Sequence, residues 1–223
     1  SCQAEGDDPF NAPGEIARFA RAAEMGGACG IRAREVENLR AVRQAVSVPI
    51  IGITKAEYPD GRVLITPDLD DIRAIVRAGA DIVALDATDR FRPNGLRGHD
   101  FLAEAKKECD RALMADISTA AEALAAMEAG ADLVGITLSG YTPETESAPV
   151  DEPDWALLDD VLRRVDIPVI LEGRVWTPAQ ALRGIECGAF AVVVGTAITR
   201  PRVITMRFAE AVRGAVRPGH GIS

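Results

Sequence analysis

Short apolar runs alternate along this 223-residue chain with longer segments rich in alanine and other helix-forming residues. The apolar runs are continuous rather than alternating, which is typical of strands buried on both faces of a parallel sheet. Seven runs predict seven strands, at residues 28–32, 48–54, 82–87, 112–117, 133–138, 169–172 and 191–195. The segments between them predict helices, so the chain is of the α/β class.

A repeated tripeptide supports this organisation. Gly79-Ala80-Asp81 recurs as Gly130-Ala131-Asp132 and loosely as Gly188-Ala189. Each copy follows a predicted helix, over residues 68–78, 119–129 and 178–187, and precedes an apolar run. A glycine that ends a helix just before a buried strand is typical of an αβ loop.

Units of about 25 residues predict a (β/α)8 TIM barrel. The eighth strand would precede Ser1, so we expect the first barrel strand to be largely missing from this chain. A doubly wound sheet is the alternative, but it normally needs a glycine-rich fingerprint after its first strand. We expect one barrel domain over residues 1–214, followed by a tail or linker start over residues 215–223.

The charge balance narrows the classes of function. With 25 Lys and Arg against 34 Asp and Glu, the formal charge is −9, and there is no basic run. This argues against nucleic acid or an anionic membrane as partner. The chain has neither an apolar run of about 20 residues nor a signal peptide, which favours a cytoplasmic protein.

The chain has few residues that could bind a metal or support histidine-based catalysis. The four cysteines are widely separated and there are only two histidines, so we expect no metal site. Acid–base chemistry therefore rests on Lys, Glu or Asp.

Polar residues that follow the predicted strands converge at one mouth of a barrel. Four of the predicted strands end at or next to a charged residue, namely Arg32, Lys55, Asp116 and Glu172, and Gln3 lies near the start of the chain. Ionised groups next to apolar strands are costly unless they are paired or used. We expect them to form an active site.

A second group of residues predicts a phosphate subsite. The loops after the last two strands are the usual phosphate cradle of a TIM barrel. Here they contain Gly173, Arg174, Gly195, Thr196 and Arg200. Glycine amides and arginine side chains would hold a dianion despite the acidic average charge.

Several segments together resemble N-acetylmannosamine-6-phosphate 2-epimerase over nearly the whole chain. They are Ser1-Cys2-Gln3-Ala4, Gly30-Ile31-Arg32, Gly52-Ile53-Thr54-Lys55, Asp86-Ala87-Thr88, Met114-Ala115-Asp116-Ile117-Ser118-Thr119, Gly140-Tyr141-Thr142, Glu172-Gly173-Arg174 and Val194-Gly195-Thr196-Ala197-Ile198-Thr199-Arg200-Pro201.

The resemblance implies interconversion of N-acetylmannosamine 6-phosphate and N-acetylglucosamine 6-phosphate through an enolate, with no cofactor. It implies that Lys55 carries the C2 proton and that Glu172 opens the ring. Gln3 and Asp116 match substrate-contacting positions, and we expect Arg32 to act beside Lys55 and on the substrate. The resemblance also implies a homodimer, for which the apolar helix over residues 203–212 is a candidate contact, and it allows a fused downstream sugar kinase.

Other readings of the same residues stay open. A lysine at a strand end also serves Schiff-base lyases and synthases. A barrel that binds a phosphorylated ligand without turnover is a second alternative. A loose carboxylate metal site at Asp86, Asp116 and Glu172 is a weaker one.

Overall fold

Seven parallel strands form one sheet in the computed structural model, which describes residues 1–59 and 62–215. The sheet order is β1-β2-β5-β6-β7-β8-β9, in which neighbouring strands are hydrogen-bonded. The strands are β1 Ile31–Arg34, β2 Ile50–Ile53, β3 Lys55–Glu57, β4 Val63–Ile65, β5 Ile82–Asp86, β6 Ala112–Asp116, β7 Leu133–Gly135, β8 Val169–Glu172 and β9 Ala191–Val193. The remaining pair, β3 and β4, forms a separate antiparallel hairpin.

Helices lie between the strands of the sheet. They are α1 Pro13–Met25, α2 Val36–Ala45, α3 Leu69–Arg77, α4 Gly98–Glu108, α5 Ala120–Glu128, α6 Trp155–Arg164, α7 Pro178–Glu186, α8 Thr196–Thr199 and α9 Pro201–Ala215, with a 3-10 turn at Pro143–Thr145. The three predicted helices are confirmed to within one residue at each end. The glycines that follow them, Gly79, Gly130 and Gly188, have φ of 96°, 98° and 107°, a conformation that glycine adopts without steric cost.

The sheet closes through the start of the chain. Cys2 forms a parallel bridge with Ala33 of β1, and its backbone N–H donates to the carbonyl of Arg32 at 2.8 Å. The amino group of Ser1 donates to the carbonyl of Val194, just after β9, at 2.6 Å. Residues 1 and 2 therefore stand where the eighth strand of the barrel belongs, and the predicted (β/α)8 barrel is confirmed.

The first sheet strand lies further along the chain than predicted. The apolar run suggested residues 28–32, whereas β1 is Ile31–Arg34. Gly26 and Gly27 end α1, and the chain needs residues 28–30 to return to the sheet, where Ile31 donates to the carbonyl of Pro49 at 2.9 Å. Arg32 is consequently inside the strand rather than at its end.

The hairpin of β3 and β4 was missed by the sequence analysis. It follows β2 and begins at Lys55. A turn signal was present, because Pro59-Asp60-Gly61 separates the two strands in the sequence. Lys55 is the first residue of this hairpin and pairs with Ile65 of β4.

The described helices include none that is long and apolar enough to cross a bilayer. Of the predicted tail, only Ala215 is described, as the last residue of α9, and residues 216–223 lie outside the described part of the chain.

Candidate active site

A cleft of about 1030 Å³ opens at the carboxyl ends of the sheet strands. It is large enough for a sugar phosphate. Eight predicted site residues line it, namely Gln3, Lys55, Glu172, Gly173, Arg174, Gly195, Thr196 and Arg200. Among the described lining residues, six are Lys or Arg and five are Glu, so the cleft departs from the acidic average of the chain.

Two predicted site residues lie elsewhere. Arg32 and Asp116 are buried, with exposed fractions of 2% and 0%, and neither is among the lining residues. Their expected contact with substrate stays a prediction. The ion pairs of Arg32 are with Asp116 and Glu172. That Arg32 also acts as a cation beside Lys55 stays a prediction.

Arg32 holds two carboxylates beneath the cleft. Its Nη1 and Nη2 donate to Oδ1 and Oδ2 of Asp116 at 3.0 and 2.5 Å. The same Nη1 lies 3.0 Å from Oε2 of Glu172, which reaches the cleft. One buried cation thus contacts two carboxylates, and Asp116 accepts hydrogen bonds from both terminal nitrogens of the guanidinium group.

This arrangement favours the neutral form of Glu172. Burial raises the pKa of Glu172, and the negative charge of Asp116 adds to the increase, whereas Arg32 opposes it. The net direction is upward because Arg32 is already balanced by Asp116, so protonating Glu172 makes the cluster neutral. Glu172 is therefore suited to donate a proton into the cleft.

Thr137 was missed by the sequence analysis. Its Oγ1 lies 2.8 Å from Oδ1 of Asp116 and 3.3 Å from Oε2 of Glu172, and the residue lines the cleft. A Cβ placed on Gly135 would lie 3.0 Å from Oγ1 of Thr137 and 2.3 Å from the terminal methyl of Met114. The small residue at the end of β7 leaves room for this cluster.

Lys55 is half-buried at the start of β3 and forms an ion pair with Glu5 at 3.2 Å. The same carboxylate pairs with Arg34 at 3.1 Å and with Arg200 at 3.3 Å. Glu5 and Arg34 both line the cleft, and both were absent from the predicted site.

The loop after β8 has an unusual backbone. Gly173 has φ of 114°, and Arg174 has φ of 55°, which is uncommon for a residue with a side chain. Arg174 is held there by its guanidinium, which donates to the carbonyls of Ser139 and Glu152 at 2.8 and 3.1 Å. Arg174 thereby fastens the long loop after β7, while its contact with phosphate stays a prediction.

Arg200 is better placed to meet an anion. Its Nε donates to the carbonyl of Gln3 at 3.2 Å, and Nη2 reaches Glu5. Gly195 and Thr196 line the cleft beside it. Because α8 has only four residues, backbone amides and Arg200, rather than a helix dipole, supply the positive potential.

Asp86 is engaged outside this cluster. Its carboxylate accepts from the backbone and hydroxyl of Thr88, at 3.0 and 2.6 Å, and pairs with Arg90. Within the part of the chain that the structure describes, no three His, Cys, Asp or Glu side chains are grouped as for a metal ion.

Comparison with known proteins identifies the family of this chain. The family model described as "Putative N-acetylmannosamine-6-phosphate epimerase" matches residues 16–214. The chain belongs to this family. Two relatives named "Putative N-acetylmannosamine-6-phosphate 2-epimerase" agree with it. One, from Caldanaerobacter subterraneus subsp. tengcongensis, is 45% identical over 96% of this chain and 90% of its own length, and one from Enterobacter sp. strain 638 is 46% identical over 95% and 91%.

Solved structures show the same relationship. The N-acetylmannosamine-6-phosphate 2-epimerase from Clostridium perfringens matches with a TM-score of 0.88 and 40% identity, over 94% of this chain and 90% of that one. Thiamine phosphate pyrophosphorylase from Pyrococcus furiosus has a TM-score of 0.57 at 19% identity, which shows a shared fold alone.

Proposed function

We propose that this protein is a sugar-phosphate 2-epimerase that interconverts N-acetylmannosamine 6-phosphate and N-acetylglucosamine 6-phosphate. The observation that carries the proposal is that Lys55, Glu172 and Arg200 line one cleft in a chain of this family. They supply a proton carrier, a neutral acid and a phosphate anchor. The proposed route needs no redox cofactor, because the proton on C2 of the open-chain sugar lies next to the C1 aldehyde and can be exchanged by a base.

Glu172 acts first, on the closed sugar ring. Opening the ring requires a proton at the ring oxygen and the loss of a proton from the C1 hydroxyl. Protonated Glu172 donates the first of these, and the resulting carboxylate is stabilised by Arg32, whose Nη1 is 3.0 Å away. The carboxylate then takes up the proton that the C1 hydroxyl loses, which restores the protonated acid. The open chain has an aldehyde at C1, which makes the proton on C2 acidic.

Lys55 then exchanges the C2 proton. The lysine amine takes the proton, and the electron pair of the C–H bond moves into an enolate. A proton that exchanges with solvent is then added to the opposite face of C2, and the lysine ammonium group returns its proton to solvent. General acid–base catalysis of this kind contributes about 10²- to 10⁴-fold. Arg200 and the loop glycines hold the phosphate, which keeps C2 beside Lys55 and raises its effective concentration.

The test is proton NMR on N-acetylmannosamine 6-phosphate in deuterium oxide. We expect N-acetylglucosamine 6-phosphate to accumulate with deuterium at C2. A product without the label would contradict proton exchange with solvent, and no product would contradict the assigned reaction. A Schiff-base enzyme would form a covalent adduct with the sugar that borohydride traps on the protein. We expect no such adduct, and we expect both sugars to be recovered after acid quenching.

We also propose that residues 1–214 form a single domain.

We further propose that two copies of the chain associate through the face built by α7, α8 and α9. This face exposes large apolar side chains, namely Leu182, Ile185, Phe190, Ile198, Met206, Phe208 and Val212. Phe190 and Phe208 are each 72% exposed. Exposed apolar side chains that cluster on one surface are typical of an interaction site, and the proposal is that these do so.

Light scattering on the purified chain tests the dimer. We expect twice the mass of one chain, and we expect Phe208→Ser to shift the protein toward the monomer. Val150→Ser, at a position that is 78% exposed in the loop after β7, is the matched control and leaves the mass unchanged. A monomeric wild-type chain would contradict the proposal.

Two further predictions concern the protein in its cell. A cytoplasmic location fits a phosphorylated substrate, and fractionation tests it. Fusion to a downstream sugar kinase is tested by the mass of the full-length gene product.

A further inference from the structure

One carboxylate oxygen of Glu5 contacts three cations of the cleft. Oε1 lies 3.1 Å from Nη1 of Arg34, 3.2 Å from Nζ of Lys55 and 3.3 Å from Nη2 of Arg200. The proposed reaction uses two of these cations, Lys55 as proton carrier and Arg200 as phosphate anchor. Glu5 itself has no role in that reaction.

The charges around Glu5 keep it ionised. Burial by itself would raise the pKa of Glu5, but Lys55, Arg200 and Arg34 together lower it below its ordinary value. Arg34 has a second carboxylate, since its Nε donates to Glu35 at 2.7 Å. Glu5 is therefore an anion that balances Lys55 and Arg200 in the cleft.

Glu5 is held only by partly exposed ion pairs. Its side chain is 44% exposed, and it lies in the segment before α1 that forms neither helix nor sheet strand. Ion pairs between partly exposed side chains are weak, because water screens them. A phosphate dianion carries up to twice the charge and three acceptor oxygens.

We propose that Glu5 is a resident anion that occupies the cations of the phosphate subsite, and that the phosphate of the substrate displaces its carboxylate from Arg200 and Lys55 on binding. This inference rests on the proposed function for the identity of the substrate. The displacement frees the amino group of Lys55 from its ion pair with Glu5, and this group must leave the pair before it can reach C2. Phosphate binding is thereby coupled to the release of the proton carrier, and an unphosphorylated sugar lacks the charge to cause it.

The experiment measures binding of inorganic phosphate by calorimetry to the wild-type chain and to Glu5→Gln. The variant keeps the size of the side chain but removes the competing charge, so we expect it to bind phosphate about fivefold more tightly. Glu57→Gln is the matched control. Glu57 lines the same cleft, and the described structure gives it no ion pair with Lys55 or Arg200. We expect this control to change the affinity by less than about twofold.

Three outcomes would overturn the proposal. Unchanged or weaker phosphate binding by Glu5→Gln would show that Glu5 positions the cations instead of occupying them. An equal gain in Glu57→Gln would show a general effect of charge in the cleft. No phosphate binding by either the wild type or Glu5→Gln would show that these cations form no phosphate subsite.

A second measurement separates this inference from the proposed function. For N-acetylmannosamine 6-phosphate we expect Glu5→Gln to lower KM about fivefold, whereas a merely structural role would raise KM or lower kcat. If the sugar phosphate is not epimerised but Glu5→Gln still binds inorganic phosphate more tightly, the proposed function fails and the role of Glu5 stands. A normal far-ultraviolet spectrum and melting temperature confirm that the variant is folded.

Discussion

Arg32 donates hydrogen bonds from both terminal guanidinium nitrogens to the carboxylate of Asp116, at 3.0 and 2.5 Å, in the interior of the barrel. The two residues are 84 positions apart in the sequence, on β1 and β6. The same Arg32 lies 3.0 Å from Glu172, so one cation is shared by two carboxylates. Burial raises the pKa of Glu172, and the negative charge of Asp116 raises it further, against the opposing effect of Arg32.

Asp116→Asn tests this dependence. Removing one partner of a buried ion pair costs about 3–5 kcal/mol of the free energy of unfolding, and we expect the lower end because Arg32 retains Glu172. The pKa of Glu172 should fall at the same time, since the charge of Asp116 helps to raise it. We therefore expect kcat to decrease as well. Denaturant unfolding and steady-state kinetics measure the two effects.

The control for this prediction is Asp160→Asn. Asp160 pairs with Arg163 and Arg164 on the exposed surface of α6. We expect little change in stability or turnover, because exposed ion pairs are screened by water. Equal losses in the two variants would contradict the special position of Asp116.

Glu172→Gln should alter the dependence of stability on pH. The pKa of Glu172 is raised in the folded protein, mainly by burial, so the folded state binds more protons than the unfolded state. Stability is then lost as the pH rises from the ordinary pKa of a glutamate toward the raised value. The amide variant has no proton to lose. We expect it to gain stability relative to the wild type over this window, by about 1.4 kcal/mol for each unit of the pKa shift.

Unfolding curves at a series of pH values between 4 and 8 measure this difference. Glu104→Gln, on the exposed face of α4, is the control that should follow the wild type at every pH. A difference between wild type and Glu172→Gln that is constant with pH, or that shrinks as the pH rises, would be inconsistent with a raised pKa.

Lys55→Ala should remove the proton carrier. We expect kcat to fall by about 10²- to 10⁴-fold while the substrate still binds, because Arg200 and the glycine loops remain. Single-turnover kinetics and calorimetry measure the two quantities separately. Lys107→Ala, at an exposed position of α4, controls for the loss of a lysine. Near-normal turnover by Lys55→Ala would refute the assignment.

Gly173→Ala should strain the loop after β8. The added Cβ would meet no atom within 4 Å, so the cost comes from the backbone, at φ of 114°. We expect a loss of about 1–3 kcal/mol in the free energy of unfolding and a higher KM for the phosphorylated substrate. Gly14→Ala, in the first turn of α1, has equally open space at an ordinary φ and should be neutral or slightly stabilising. Equal effects of the two substitutions would rule out the backbone explanation.

Local pattern was sufficient for the order of the seven sheet strands and the helices between them, but not for the hairpin of β3 and β4. Continuous apolar runs separated by alanine-rich segments can be buried only in a barrel or a doubly wound sheet, and the glycines of the repeated tripeptide mark where each helix ends. The polar residues after the strands also identified eight lining residues of the cleft, because the carboxyl ends of parallel strands meet at one edge.

The pairing register of β1 was not determined by local pattern. A displacement of β1 by about two residues moved Arg32 from the mouth of the barrel into its interior and brought Arg34 to the cleft instead. An apolar run shows that a strand exists but not where its pairing begins. That depends on the carbonyl of Pro49, which the neighbouring chain segment supplies.

The sequence by itself therefore determined the barrel and most of the polar residues at its mouth, because these follow from periodicity and local turns, and the family came from a resemblance of motifs. Only the tertiary structure decided which charges meet. Glu5 joins Lys55, Arg34 and Arg200 across as many as 195 positions, and Thr137 joins Asp116 to Glu172. Such contacts arise when a sheet closes on itself, and no local pattern records the partner that closure brings within hydrogen-bonding distance.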